Sequence, residues 1–202
     1  MNTLQIKTDN DGIATITIDL EDRSMNVVSP EFIAELDQAV DQIVGDDSVR
    51  GAVVTSGKTS FIAGADLLQL VDEIVPGSDA KEGYAKFSDL QQVYRKLETC
   101  GKPFVAAING TALGGGLELC LACHYRVAAN DPMAKIGLPE VQVGLLPGAG
   151  GTQRLPRLIG LEAALPLIVQ GTHLSPEKAA ELGIVDQLVE PGQELAAARQ
   201  WI

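Results

Sequence analysis

Apolar positions recur along this chain with two alternating periods. Ile13-Ala14-Thr15-Ile16-Thr17-Ile18-Asp19 alternates apolar or β-branched residues with small or polar ones, which predicts a strand with one face buried. Ser29-Pro30-Glu31 then supplies an N-cap with proline in the first turn, and Phe32, Ile33, Leu36, Val40 and Ile43 follow at helical spacing. Gly51 to Thr55 is a short apolar run bounded by Arg50 and Ser56-Gly57, so the first unit reads strand, helix, strand and the class is α/β. A small-residue turn at Phe61 to Asp66 leads into a helix through Leu67, Leu68, Leu70 and Val71. A loop follows at Pro76 to Asp79, and then a long helix from about Lys81 to Glu98. Pro103 to Ile108 predicts a buried strand ending at Asn109-Gly110. Gly114-Gly115-Gly116 opens an apolar helix to about Cys123, and Tyr125 to Ala129 is another strand. Beyond the Gly- and Pro-rich stretch Leu138 to Gly151, the pattern predicts three helices, at 152–159, 161–169 and 176–182, and a short strand at Ile184-Val185-Asp186. Glu194 to Ile202 reads as a helix just under way with no stop signal, so the chain is expected to be a piece of something longer.

Composition narrows the class. At 202 residues and 46% hydrophobic, the chain suits one domain spanning 1–202 with a single sizeable core. The net charge of −12 argues against nucleic acid or an anionic membrane surface as the main partner. The first hundred residues carry 8 basic and 18 acidic groups, the remainder 7 and 9, which points to the second half for the chemistry. The N-terminus has neither a basic nor an apolar leader region and no run is long enough to span a bilayer, so a cytoplasmic location is expected. Three cysteines, Cys100, Cys120 and Cys123, make no even disulfide framework and read as buried thiols of a reducing compartment.

Several motif matches fail on context. Cys120-Leu121-Ala122-Cys123-His124 has the spacing of covalent haem attachment but lies in an apolar helix. Gly57-Lys58-Thr59 lacks the earlier glycine at the spacing a phosphate loop needs. With only His124 and His173, a histidine triad or histidine-rich metal site is not expected, and both read as structural or surface residues.

Two carboxylates and two glycine-rich turns survive. Glu118 sits within an apolar helix, where a glutamate is costly unless paired or functional, and Glu140 follows Leu138-Pro139 in another apolar setting. On residue types alone, a salt bridge to Arg126, Arg154 or Arg157, or simple exposure, accounts for them equally well. Glycines leading into a helix leave backbone N–H groups free to hold a negative oxygen, and Ala63-Gly64-Ala65-Asp66 repeats that arrangement. Two such donors on one carbonyl oxygen, with two carboxyls beside it, describe proton chemistry at the carbons next to a carbonyl.

These residues carry a resemblance. Phe61 to Asp66, Asn109 to Leu119, Gly137 to Glu140 and Pro147 to Leu155 resemble, in order and spacing, the crotonase (enoyl-CoA hydratase) superfamily over nearly the whole chain. The wording around Leu117-Glu118, Ala122-Cys123-His124 and Gly144 to Pro147 is most similar to the N-terminal hydratase region of bacterial multifunctional fatty-acid oxidation α subunits. The resemblance implies a crotonase-like spiral of ββα units, with two roughly perpendicular sheets flanked by helices, assembled as a trimer or dimer of trimers. It implies hydration of a trans-2-enoyl-CoA, with Δ3-Δ2-enoyl-CoA isomerisation or a non-catalytic acyl-CoA-binding module as alternatives. Ala65 and Gly115 match the oxyanion-hole residues, and Glu118 and Glu140 the two catalytic glutamates. Gly148 matches a glycine that helps place the water, and Gly114 lies in the substrate turn. Met25 to Val27, with Ala63, Asp66 and Leu67, match the CoA-binding surface. No metal or redox cofactor is implied here, since CoA is part of the substrate. NAD is expected only in a dehydrogenase region absent from this chain, and a thiolase β subunit only as a partner of the full-length protein. The family normally continues past the position of Ile202 into helices that cover the acyl site.

Overall fold

The computed structural model describes residues 2–66 and 80–202, with side chains from residue 88 onward in the second stretch. The expected helix at Leu67 to Val71 and the loop at Pro76 to Asp79 lie outside the described residues.

Strand β1 (Leu4–Thr8) pairs antiparallel with β2 (Ile13–Ile18). Helix α1 (Pro30–Gly45) follows, started by Ser29, whose side chain accepts a hydrogen bond from the Phe32 N–H. Then come β3 (Gly51–Ser56), helix α2 (Ala80–Thr99), β4 (Phe104–Ile108), the two-residue β5 (Ala112–Leu113), helix α3 (Gly115–Ala122) and β6 (Tyr125–Ala129). The chain continues through β7 (Ile136–Gly137), a 3₁₀ turn at Glu140–Val143 and helices α4 (Gly151–Ile159), α5 (Leu161–Gln170) and α6 (Pro176–Glu181). It closes with β8 (Gln187–Val189) and helix α7 (Glu194–Trp201).

The main sheet has the order β1-β2-β3-β4-β6-β8, parallel throughout except for β1. A parallel sheet needs cover on both faces, and every residue of β3 and β4 is buried. One face packs Ile16, Val54, Ala106 and Ala128 against α1, α2 and α3. The other lays Val53, Val105 and Val127 under Ala198 of α7. At that end Trp201 stacks on Tyr125, with ring centroids 4.9 Å apart.

A second, smaller sheet positions the site. β5 and β7 pair in parallel, and single bridges join Ile62 to Ala112 and Val28 to Ala65. The strand expected at Ile184 to Asp186 lies three residues later. The Ile184 and Val185 N–H groups instead bond back to the Ala179 carbonyl, plugging the core beneath α6, and Asp186 is ion-paired to Arg126 at 2.5 Å. Among the described residues no helix is long and apolar enough to cross a membrane.

Candidate active site

The turn after β3 is fixed from both sides. Buried Asn26 accepts from the Leu20 N–H at 3.0 Å and donates to the carbonyls of Ile18 (2.9 Å) and Phe61 (3.2 Å) and to Ser56 Oγ (2.8 Å). Its backbone carbonyl accepts from the Ala63 N–H. Val28 brackets the next residues, donating to the Gly64 carbonyl and accepting from the Asp66 N–H. The Ala65 N–H donates to no acceptor among the described residues.

The turn after β5 presents a second free donor. Gly114, at φ +54°, is anchored through its N–H to the Gly137 carbonyl, and α3 begins immediately after it without a side-chain cap. The Gly115 N–H therefore has no partner among the described residues. The two turns touch: a Cβ built on Gly114 would lie 3.6 Å from the Gly64 Cα. Both donors line one cavity of about 890 Å³, whose walls are largely apolar.

Glu118 enters this cavity from the first turn of α3, a helix buried along its whole length. It is only 2% exposed, and its Oε1 accepts the N–H groups of Ala149 and Gly151, both at 2.8 Å. Burial pushes its carboxyl up to about 7. The Gly151 hydrogen bond opposes that rise, the charge of Glu140 adds to it, and the Ala149 bond and Arg154 oppose it. Glu140 heads the 3₁₀ turn on the other wall, and its pKa is also raised by burial. Its Oε2 is buried without a hydrogen-bond partner among the described residues, an acceptor left open at the cavity.

The salt-bridge alternatives are excluded. Arg126 is bound to Asp186, Arg154 to Glu98, and Arg157 donates to Gln153. Among the described residues neither Glu118 nor Glu140 has an ion-pair partner.

Of the residues singled out in sequence, Ala63, Ala65, Asp66, Gly114, Gly115, Glu118, Glu140 and Gly148 all line the cavity. Asp66 is held by Arg23 at 2.6 Å. Met25, half exposed, and Val27, partly buried, lie outside the cavity lining, and Leu67 is outside the described residues. Cys120 and Cys123 are packed thiols, pushed up by burial, Cys123 to about 12. His124 is structural, its Nδ1 accepting from the Phe104 N–H, whereas His173 lines the cavity. Sequence reasoning missed Gln91 and Tyr94, and offered Arg154 only as an ion-pair partner of the glutamates. Tyr94 is fully buried and donates to the Gly115 carbonyl at 2.9 Å, and Arg154 donates to the Ala149 carbonyl at 2.9 Å. A buried tyrosine always needs a partner for its hydroxyl, but sequence does not name that partner.

Two unpartnered N–H donors beside a buried and a half-buried carboxyl on one cavity suit enolate-type chemistry, and they are set in the fold of the enoyl-CoA hydratase/isomerase family. The chain belongs to that family, whose model matches residues 8–202. It is 45% identical over 192 residues to the fatty acid oxidation complex subunit alpha of Shewanella halifaxensis, and 44% identical over 188 residues to that of Shewanella oneidensis. Each match covers 93% of this chain and 26% of the relative, so the chain spans about a quarter of their length. The fold superposes on the crystal structure of an enoyl-CoA hydratase from Geobacillus kaustophilus HTA426 with a TM-score of 0.90 at 32% identity, covering 100% of this chain and 73% of that one. The enoyl-CoA hydratase from Bacillus anthracis gives 0.87 at 34% identity, covering 98% and 74%. The crotonase-like fold expected from sequence is therefore the fold observed.

Proposed function

We propose that this chain adds water syn across the 2,3 double bond of a trans-2-enoyl-CoA, giving the 3-hydroxyacyl-CoA of fatty-acid β-oxidation. The observation that carries this reading is the convergence of the Ala65 and Gly115 N–H groups, free among the described residues, with buried Glu118 and half-buried Glu140, neither of them ion-paired there, on one apolar cavity. The thioester oxygen sits between the two N–H groups, which stabilise the charge it gains as the double-bond electrons move toward it. One such donor is worth about 3–4 kcal/mol. Water held between Glu118 and Glu140 gives its oxygen to C3 and one proton to a carboxylate, while the other carboxyl delivers a proton to C2. Burial raises both carboxyls, Glu118 to about 7 with the charge of Glu140 adding to the rise, which suits a site where one carboxyl gives a proton as the other takes one.

The acyl-CoA binds with its tail against apolar walls such as Ile33, Leu90 and Val93, and with its CoA portion near Ala63 and Asp66. The reaction needs no metal or redox cofactor from this part of the protein. The names of the Shewanella relatives support a place in a larger fatty-acid oxidation complex. Homo-oligomerisation as a trimer or dimer of trimers, an NAD-dependent dehydrogenase region, a thiolase β partner and a cytoplasmic location extend the same proposal.

The test is loss of the conjugated enoyl-thioester absorbance on adding crotonyl-CoA, for the parent and for Glu118→Gln and Glu140→Gln. Hydration by the parent that falls by about 10²–10⁴-fold in each variant supports the reading. Migration of the double bond of a 3-enoyl-CoA without hydration would replace it with the isomerase, and binding without turnover would replace it with a non-catalytic module.

A further inference from the structure

The loop that serves Glu118 is itself held from behind. A trans peptide points its C=O and N–H in opposite directions, so fixing one fixes the other. The peptide joining Gly148 to Ala149 gives its N–H to Glu118 Oε1 at 2.8 Å, while its carbonyl accepts from Gln91 Nε2 at 2.6 Å. The peptide joining Gly150 to Gly151 gives its N–H to the same oxygen, and its carbonyl accepts the N–H groups of Gln153 and Arg154 in the first turn of α4. The second grip is part of a helix and would form whatever side chains were present. The first is a single exposed side chain reaching from α2, with no hydrogen-bonding task within its own helix.

We propose that Gln91 is a positioning residue for the hydration reaction: by holding the Gly148 carbonyl it aims the Ala149 N–H at Glu118 Oε1 and so fixes the rotamer and charge state of that carboxyl. The inference rests on the hydratase reading above for its kinetic consequence, though not for its effect on Glu118 itself. Hydrogen bonds in series polarise one another, so a donor on the carbonyl strengthens the N–H bond on the far side of the peptide. With Oε1 saturated by two donors, Oε2 is the oxygen left for water and substrate.

The other charged or titratable groups around Glu118 are Glu140 on the 3₁₀ turn, Arg154 on α4 with its partner Glu98 on α2, and the Tyr94 hydroxyl on α2. Arg126 on β6 is already committed to Asp186, and the buried thiols of Cys120 on α3 and Cys123 just after it stay neutral. Gln91 is neutral at every pH, so any change in Glu118 titration on its replacement comes through the peptide and not through lost charge.

The experiment is Gln91→Met, which keeps the length of the side chain and removes the donor. The Glu118 carboxyl is followed by carbon NMR titration, with Glu118→Gln used to assign the signal, and kcat and KM for crotonyl-CoA are measured alongside. Weaker support for the carboxylate raises the Glu118 midpoint by about half a unit, lowers kcat about 3–10-fold and leaves KM within about twofold. Gln91→Lys, which restores a donor to the carbonyl, recovers most of kcat. An unchanged Glu118 midpoint and kcat in Gln91→Met would overturn the proposal. So would a lowered melting temperature with no movement of the titration, which marks a purely structural contact. A parent that titrates normally but turns nothing over defeats the hydratase reading and leaves the NMR comparison to decide the role of Gln91.

Discussion

Adding one methyl group at Gly116 tests how closely the two oxyanion turns are pressed together. Alanine in a helix interior is ordinarily favoured over glycine by about 1 kcal/mol. At Gly116 the new Cβ would lie 2.6 Å from the Ile62 carbonyl oxygen and 2.7 Å from the Ile62 Cβ. Comfortable contacts of this kind are about 3.5 Å, so α3 and the 61–66 segment must part by nearly 1 Å. The Ile62 carbonyl cannot swing away, because it accepts the Leu113 N–H at 3.0 Å. Overpacking of this sort costs about 1–3 kcal/mol, which offsets the propensity gain and leaves a net loss of up to about 2 kcal/mol. For a chain of this size that lowers the melting temperature by up to about 8 °C. The Ala65 and Gly115 N–H groups ride on the two separated segments, and a misplacement of about 1 Å costs on the order of 10²-fold in turnover. Gly45 provides the control. It ends α1 in the open, with nothing within 4 Å of a built Cβ, and Gly45→Ala is expected to stabilise by about 0.5 kcal/mol with activity unchanged. Thermal melts and crotonyl-CoA hydration of both variants decide the matter. A Gly116→Ala protein that melts at or above the parent and retains turnover within about twofold would refute the close approach.

Other outcomes follow from the buried groups. Glu118 is raised in the folded state from 4.5 to about 7, so between those pH values the native chain keeps a proton that the unfolded chain has lost. Stability therefore falls as pH rises through that window, by up to about 3 kcal/mol. Glu118→Gln lacks this slope, so its advantage over the parent in urea midpoint should widen from pH 5 to pH 8, and parallel pH profiles would sink the assignment. A thiol reagent applied to the native protein should label Cys100, which is partly exposed, and reach Cys120 and Cys123 only on unfolding. Labelling of more than one thiol in the folded state would contradict the packing of α3.

Legibility tracked the length of each element and the range of its contacts. α1 was readable from its helical repeat, and β3, β4 and α3 because each is a largely apolar run of five or more residues buried along its length. β1 escaped because only Leu4 is fully buried in that edge strand, and the two-residue β5 and β7 are too short to show any period. Ile184 and Val185 looked like a strand because apolarity alone does not distinguish a ladder from a plug under a helix. Within the site, Glu118 stood out as an acid in an apolar helix and the glycine runs as bare backbone donors. Its actual partners, Ala149 and Gly151, are 31 and 33 residues away and contribute only main chain, which leaves no side-chain signature. Gln91 was invisible for a related reason: an exposed glutamine on a helix is ordinary until the carbonyl it reaches is known.

The smallest sheet in the molecule does the most to assemble the site. β3 and β4 are parallel neighbours, so the turns that follow them emerge at the same edge, the usual place for a site in a parallel sheet. This brings the Ala65 and Gly115 donors together but does not by itself place either carboxylate. Glu118 is placed by α3, which starts directly from the second turn. Glu140 is placed by register: Leu113 pairs with Gly137, and the Gly114 N–H bonds to the Gly137 carbonyl, so the chain leaving β7 runs beside the chain leaving β5. Three residues beyond Gly137, Glu140 Oε1 comes within 3.0 Å of where a Cβ on Gly114 would stand. The glycine at 114 is thus required twice, for its positive φ and for the space that the second carboxylate occupies. A slip of one residue between β5 and β7 would leave the donors where they are and carry Glu140 away from them. The placement of Glu140 therefore depends on the two residue pairs that join β5 to β7.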